Sequence, residues 1–212
     1  MRFGFFNAMQ VSNYRVTDRP LLTRADMVKD DSPLGGIVVV GSHTAKTTAQ
    51  LEELLKLENV VPIPFNSDLV LEGDAALDAE VDRCVAEEEK AITAGKTAVT
   101  FTNRTLLSLE NDTKESALIR SVKISEGVSN LVGRLSIKPS FIIAKGGITS
   151  SDVGTKALAV KKANVLGQIC PGIPVWETDE KSKFPGMAYV IFPGNVWDDK
   201  TLRIAVEKLA NH

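Results

Sequence analysis

Phe141-Ile142-Ile143-Ala144-Lys145-Gly146-Gly147-Ile148-Thr149-Ser150-Ser151-Asp152 is the stretch on which the fold turns. Its apolar half follows Pro139 and has the length and composition of a central strand buried on both faces. Two adjacent glycines then allow a tight turn that brings backbone N–H groups close to an anion. Thr149, Ser150 and Ser151 supply hydroxyls at the start of a following helix, whose own N-terminus favours phosphate. A plain strand-to-helix turn capped by Ser or Thr has the same outline, so Gly-Gly alone decides nothing.

Working outward, Gly35-Gly36-Ile37-Val38-Val39-Val40-Gly41 is a second β-branched run bounded by glycines. Leu51, Leu54 and Leu55 then recur at helical spacing, with Thr47 or Thr48 placed to cap. Asn59 to Phe65 reads as a strand, and Pro62 and Pro64 assign it to the sheet periphery. A longer helix carries Leu77, Val81, Cys84, Val85 and Ile92 on one stripe, Glu87 to Glu89 on its solvated side, and Gly95 at its end. Thr97 to Thr102 is β-prone, and a third helix gathers Leu118, Ile119, Val122, Leu131, Val132 and Leu135 on its apolar side. Asn164 to Cys170 and Met187 to Phe192 read as shorter strands, and Leu202, Ala205, Val206 and Leu209 mark a closing helix with Asp198 and Asp199 at its start. Alternation of strand and helix predicts an α/β fold: a largely parallel or mixed sheet flanked by helices on both faces, with ligands beyond the carboxyl ends of the strands.

Composition narrows the function. The 212 residues are 43% hydrophobic and 25% charged with a net charge of -2, so no basic field exists to hold a nucleic acid. No stretch approaches the about 18 apolar residues that cross a bilayer. Cys84 and Cys170 stand far apart without a C-x-x-C pair, which fits buried reduced thiols in the cytoplasm better than a zinc site or a disulfide framework. Phe3, Phe5 and Phe6 lie in an opening segment without sustained periodicity, which is expected to pack against something else. The expected division is residues 1–33 as a segment left from, or leading to, a substrate domain, and 34–212 as the nucleotide-binding domain.

Two further loops resemble the Gly146-Gly147 turn in design. Phe192-Pro193-Gly194-Asn195 follows a strand and precedes a helix, and Gly41-Ser42-His43-Thr44 is a polar strand exit. Each is also an ordinary turn sequence. His43 reads as a hydrogen-bonded loop residue rather than a general base, since no triad accompanies it. Gly95-Lys96-Thr97 imitates the end of a phosphate-binding P-loop, but position 90 is Lys90 and a helix precedes it, so that reading fails. No carboxylate pair is placed well enough to nominate a catalytic acid or base.

These loops together resemble the C-terminal nucleotide-binding half of the four-carbon acid sugar kinases. The resemblance rests on Gly36 to Ser42 with Lys46-Thr47-Thr48-Ala49-Gln50-Leu51, on Phe141 to Asp152, and on Val165-Leu166-Gly167-Gln168. Pro171-Gly172-Ile173-Pro174-Val175-Trp176, Phe184-Pro185-Gly186 and Phe192-Pro193-Gly194-Asn195-Val196 continue it, so that it runs from about Leu21 to the C-terminus. It implies ATP as ligand, with Mg²⁺. Ser42 would lie near the nucleotide, Gly146, Gly147, Ile148 and Thr149 would form the phosphate-side loop, and Gly194 with Asn195 would form a further nucleotide-contacting turn. It also implies a preceding domain that binds the sugar acid and supplies the catalytic base, for which this chain has no room; homodimer formation is compatible with it. The alternative class is a non-catalytic module that binds a nucleotide or a protein. Trp197 departs from the family, whose last loop carries another glycine there, so the indole either narrows the site or imposes a different backbone angle.

Overall fold

The computed structural model describes residues 20–29 and 32–210, so Phe3, Phe5 and Phe6 lie outside the described residues. The strands are β1 (Ile37–Val40), β2 (Val60–Phe65), β3 (Thr97–Thr102), β4 (Ile142–Lys145), β5 (Ala163–Cys170), β6 (Ile173–Thr178) and β7 (Ala188–Phe192). They form one seven-stranded sheet in the order β2-β3-β1-β4-β7-β6-β5. The first five in that order run parallel, while β6 and β5 join antiparallel at one edge. The expected mixed α/β sheet is therefore present. β1 and β4, adjacent at its centre, are buried along their whole lengths, as their unbroken apolar runs require. β2, with its two prolines, takes the edge.

The helices are α1 (Arg24–Met27), α2 (Ala45–Leu54), α3 (Asp74–Thr93), α4 (Lys114–Gly133), α5 (Gly147–Asp152), which runs on as a π turn over Val153–Ala157, and α6 (Thr201–Glu207). One face of the sheet, carrying Val38, Val40 and Ile143, packs against Leu51 and Leu54 of α2 and Leu202, Ala205 and Val206 of α6. The opposite face, carrying Ile37, Val39, Ile142 and Ala144, packs against Leu77, Val81 and Ile92 of α3 and Val128, Leu131 and Val132 of α4. Met27 of α1 joins the first cluster, and the Leu22 N–H donates to the Gln168 carbonyl of β5 at 2.8 Å.

Three expectations need correction, and one strand was not anticipated. The N-cap of α2 is Thr44, whose side chain accepts from the Thr47 N–H, rather than Thr47 or Thr48. Leu118, Ile119 and Val122 are exposed, not core; in the first half of α4 it is Arg120 that is buried, and the helix joins the core through Val128, Leu131 and Val132 in its second half. Glu88 is not on a solvated face: it is fully buried, and its carboxylate accepts from the Thr100 hydroxyl of β3 at 2.5 Å. Finally, β6 is a strand that Pro174 concealed; it is paired into the antiparallel flank, where a missing N–H is tolerated.

Candidate functional site

The chain passes from β3, on one side of β1, to β4 on the other, and at this reversal of strand order the loops leaving β1 and β4 diverge. A cleft of ≈ 590 Å³ opens there, within the range that small-ligand sites occupy. Ser42, Gly146, Gly147, Ile148, Thr149, Gly194 and Asn195 all line it, although they come from three separate stretches of sequence. His43 is exposed at its rim.

The turn after β4 is open toward the cleft. Gly146 has φ 117, a conformation that side chains avoid, and its N–H extends the sheet by donating to the Phe192 carbonyl at 3.0 Å. α5 starts at the next residue, so the N–H groups of Gly147, Ile148 and Thr149 occupy a first turn, where intrahelical acceptors do not exist. A Cβ built on Gly147 meets no atom within 4 Å. At Gly41, by contrast, a Cβ would sit 2.4 Å from the Thr149 Oγ1, which is why the β1 exit must be glycine for the two loops to touch. Of the three hydroxyls read from sequence, Thr149 lines the cleft. Ser150 turns inward, donating to the Ala144 carbonyl at 2.7 Å and receiving Tyr189 on its own carbonyl. Ser151 is exposed and lines no part of the cleft.

The other two loops are tied to this one. The Arg104 guanidinium, stacked over Phe101, donates to the carbonyls of Ser42 at 2.7 Å and Thr102, which fixes the β1 exit against the β3 exit. The Thr44 hydroxyl donates to the Asn195 Oδ1 at 2.7 Å. Lys145 does not reach the cleft: its ammonium is fully buried and held by the Pro193 and Gly194 carbonyls. Trp197 does not narrow the cleft either. It takes φ 72, the backbone angle of a glycine, and lays its indole against Gly172 in the β5–β6 turn.

The facing wall went unread in the sequence. It consists of the β3–α4 loop, with Asn103, Thr105, Leu106, Leu107 and Ser108, and of Ile124 and Val128 on α4. Asp112 anchors it. Its carboxylate accepts from the Leu109 N–H at 3.0 Å and from Arg120 through both oxygens, and the Arg120 guanidinium holds the Asp112 carboxyl down to about 2. The signal that could have found this wall is positional, since it begins at the carboxyl end of a central parallel strand. Among the described residues no group of three or more His, Cys, Asp or Glu could hold a metal, and no helix is long and apolar enough to cross a membrane. Both cysteines are buried and free.

Comparison with known proteins bears on the family and the fold. Residues 37–202 match the family model described as a nucleotide-binding C-terminal domain. No curated protein matches the chain. A solved structure from Salmonella typhimurium LT2, described provisionally as a tRNA synthase, superposes with a TM-score of 0.63 at 16% identity over 84% of this chain. That match spans 41% of the solved chain, and at such identity it speaks to the fold alone.

Proposed function

We propose that this chain, which belongs to the family of nucleotide-binding C-terminal domains found in four-carbon acid sugar kinases, binds ATP in the cleft described above. The phosphates lie at the turn of Gly146, Gly147, Ile148 and Thr149, where first-turn amides and the positive end of the helix dipole meet negative charge. Gly194, Asn195 and Ser42 close over them, and the adenine ring lies between Leu106, Leu107, Ile124 and Val128, the apolar part of the lining. The observation that carries this reading is convergence: residues more than a hundred positions apart, each picked out separately, line one opening at the reversal of strand order.

The reaction this would serve is phosphoryl transfer to a four-carbon sugar acid. Transfer of this kind asks mainly for positioning and charge stabilisation, which backbone amides provide. The acceptor and its base come from another domain, with residues 1–33 leading in from it and 34–212 holding the nucleotide. Mg²⁺ would arrive with the phosphates it neutralises, because Asp112, the one carboxylate among the described residues of the lining, is already committed to Arg120. Trp197, which lies away from the lining, lends no support to the non-catalytic alternative.

Calorimetry tests this on the chain as it stands. Mg-ATP and ADP are expected to bind with Kd in the micromolar to low millimolar range, about 4–8 kcal/mol. No heat of binding at millimolar nucleotide would sink the reading.

A further inference from the structure

Two fully buried side chains hold the Pro193–Asp198 loop from beneath the cleft. Lys145, the last residue of β4, lies on the α2 side of the sheet, and its Nζ donates to the carbonyls of Pro193 at 2.9 Å and Gly194, with the Thr47 Oγ1 at 3.4 Å. Gln50 of α2 donates from Nε2 to the carbonyls of Val196 at 3.0 Å and Asp198 at 2.9 Å. Four carbonyls of one short loop are thus gathered by two side chains, neither of which lines the cleft.

Neither residue is a natural choice for stability. Lys145 is 0% exposed and has no carboxylate partner among the described residues; its charge faces only carbonyls, a hydroxyl and the Phe192 ring at 5.1 Å. Burial alone draws its ammonium down to about 8. The Gln50 Oε1 has no partner among the described residues. Apolar side chains of similar shape commonly make a core at least as stable as an unpaired buried charge does. The same loop holds Trp197 in a left-handed conformation, which persists only where the surroundings over-determine it.

We propose that Lys145 and Gln50 are positioning residues that set the Pro193–Asp198 loop so that Gly194 and Asn195 meet the phosphate end of the cleft. They act through the loop and touch no ligand. This inference rests on the reading of the cleft as a nucleotide site.

The test uses Trp197 as the reporter, in a Trp176→Phe background where it is the remaining tryptophan. Lys145→Met and Gln50→Leu are each compared with that background for ADP affinity, Trp197 emission and Tm. Each variant is expected to weaken ADP by about tenfold, the scale of one well-placed hydrogen bond, to shift the emission maximum, and to leave Tm unchanged or higher. Unchanged ADP affinity would overturn the inference, and so would weakened affinity with unmoved emission. If one variant fails to fold, the other decides. A background protein that binds no ADP removes the nucleotide reading itself, and is told apart because the failure precedes either substitution.

Discussion

The two walls of the cleft are built in different ways. One consists of three strand exits, each with a glycine, cross-tied by Thr44, Lys145 and Gln50 and joined to the facing stretch by Arg104 through hydrogen bonds to backbone and side chains. The other is the stretch 103–113 backed by Ile124 and Val128 of α4, anchored by the Asp112–Arg120 pair and leaving Leu106 and Leu109 exposed. On the proposed reading, the difference matches the parts of a nucleotide. A phosphate chain must be met by donors at fixed positions, whereas a flat apolar ring needs only surface of about the right shape.

That contrast makes its largest prediction at Gly147. Since a Cβ there meets empty space, Gly147→Val leaves the fold intact, with Tm within about 3 °C of the parent. If the phosphates lie at this turn as proposed, its methyl groups occupy their volume and ADP affinity falls by at least about 100-fold. Leu106→Ala on the facing wall, where side chains adapt, costs less than about tenfold. Equal losses by calorimetry would break the comparison between the walls.

A second prediction concerns what supports the facing wall. β3, which leads into it, rests on Glu88 of α3, and burial pushes that carboxyl from its ordinary 4.5 up to about 8. In the unfolded chain Glu88 ionises first, so the folded state holds more protons between those values and stability falls as pH rises from about 4.5 to about 8. Glu88→Gln removes this dependence while keeping an acceptor for Thr100. The variant is expected to lie close to the parent near pH 5 and to melt about 10 °C higher at pH 8. A constant difference in Tm across that range would show that Glu88 does not titrate with folding.

The walls also differ in how far sequence reveals them. Glycine turns are legible because Gly146 and Gly41 are required by backbone angle and close approach, constraints that act on one residue at a time. The parallel sheet was legible for a similar reason, since β1 and β4 are unbroken apolar runs buried on both faces. The 103–113 stretch carries no such local constraint. Its place in the site follows from the strand order, which sets the exits of β3 and β4 on either side of β1 and which no short segment encodes. The same limit explains the misread side of α4. Leu118, Ile119 and Val122 have the spacing of a core stripe, but α4 turns Ala117, Arg120, Ser121 and Ile124 to the cleft and leaves that stripe exposed. Glu88 was misplaced for the opposite reason: its neighbours Glu87 and Glu89 lie off the buried stripe, and a run of like residues hides the one that turns inward.

Trp197 offers the smallest effect and the sharpest check on the glycine wall. Trp197→Gly relieves a left-handed angle that disfavours a side chain by roughly 1–2 kcal/mol. It also loses the contact of a partly exposed indole with Gly172 and adds backbone entropy to the unfolded chain, each on the order of 1 kcal/mol. These terms nearly cancel, so Tm should move by less than about 4 °C in either direction. Because Lys145 and Gln50 grip the loop on both sides of position 197, and the indole points away from the lining, ADP affinity should stay within about twofold of the parent. A rise of tenfold would mean that the indole does restrict the cleft, and the wall would then be less fixed than its buried ties imply.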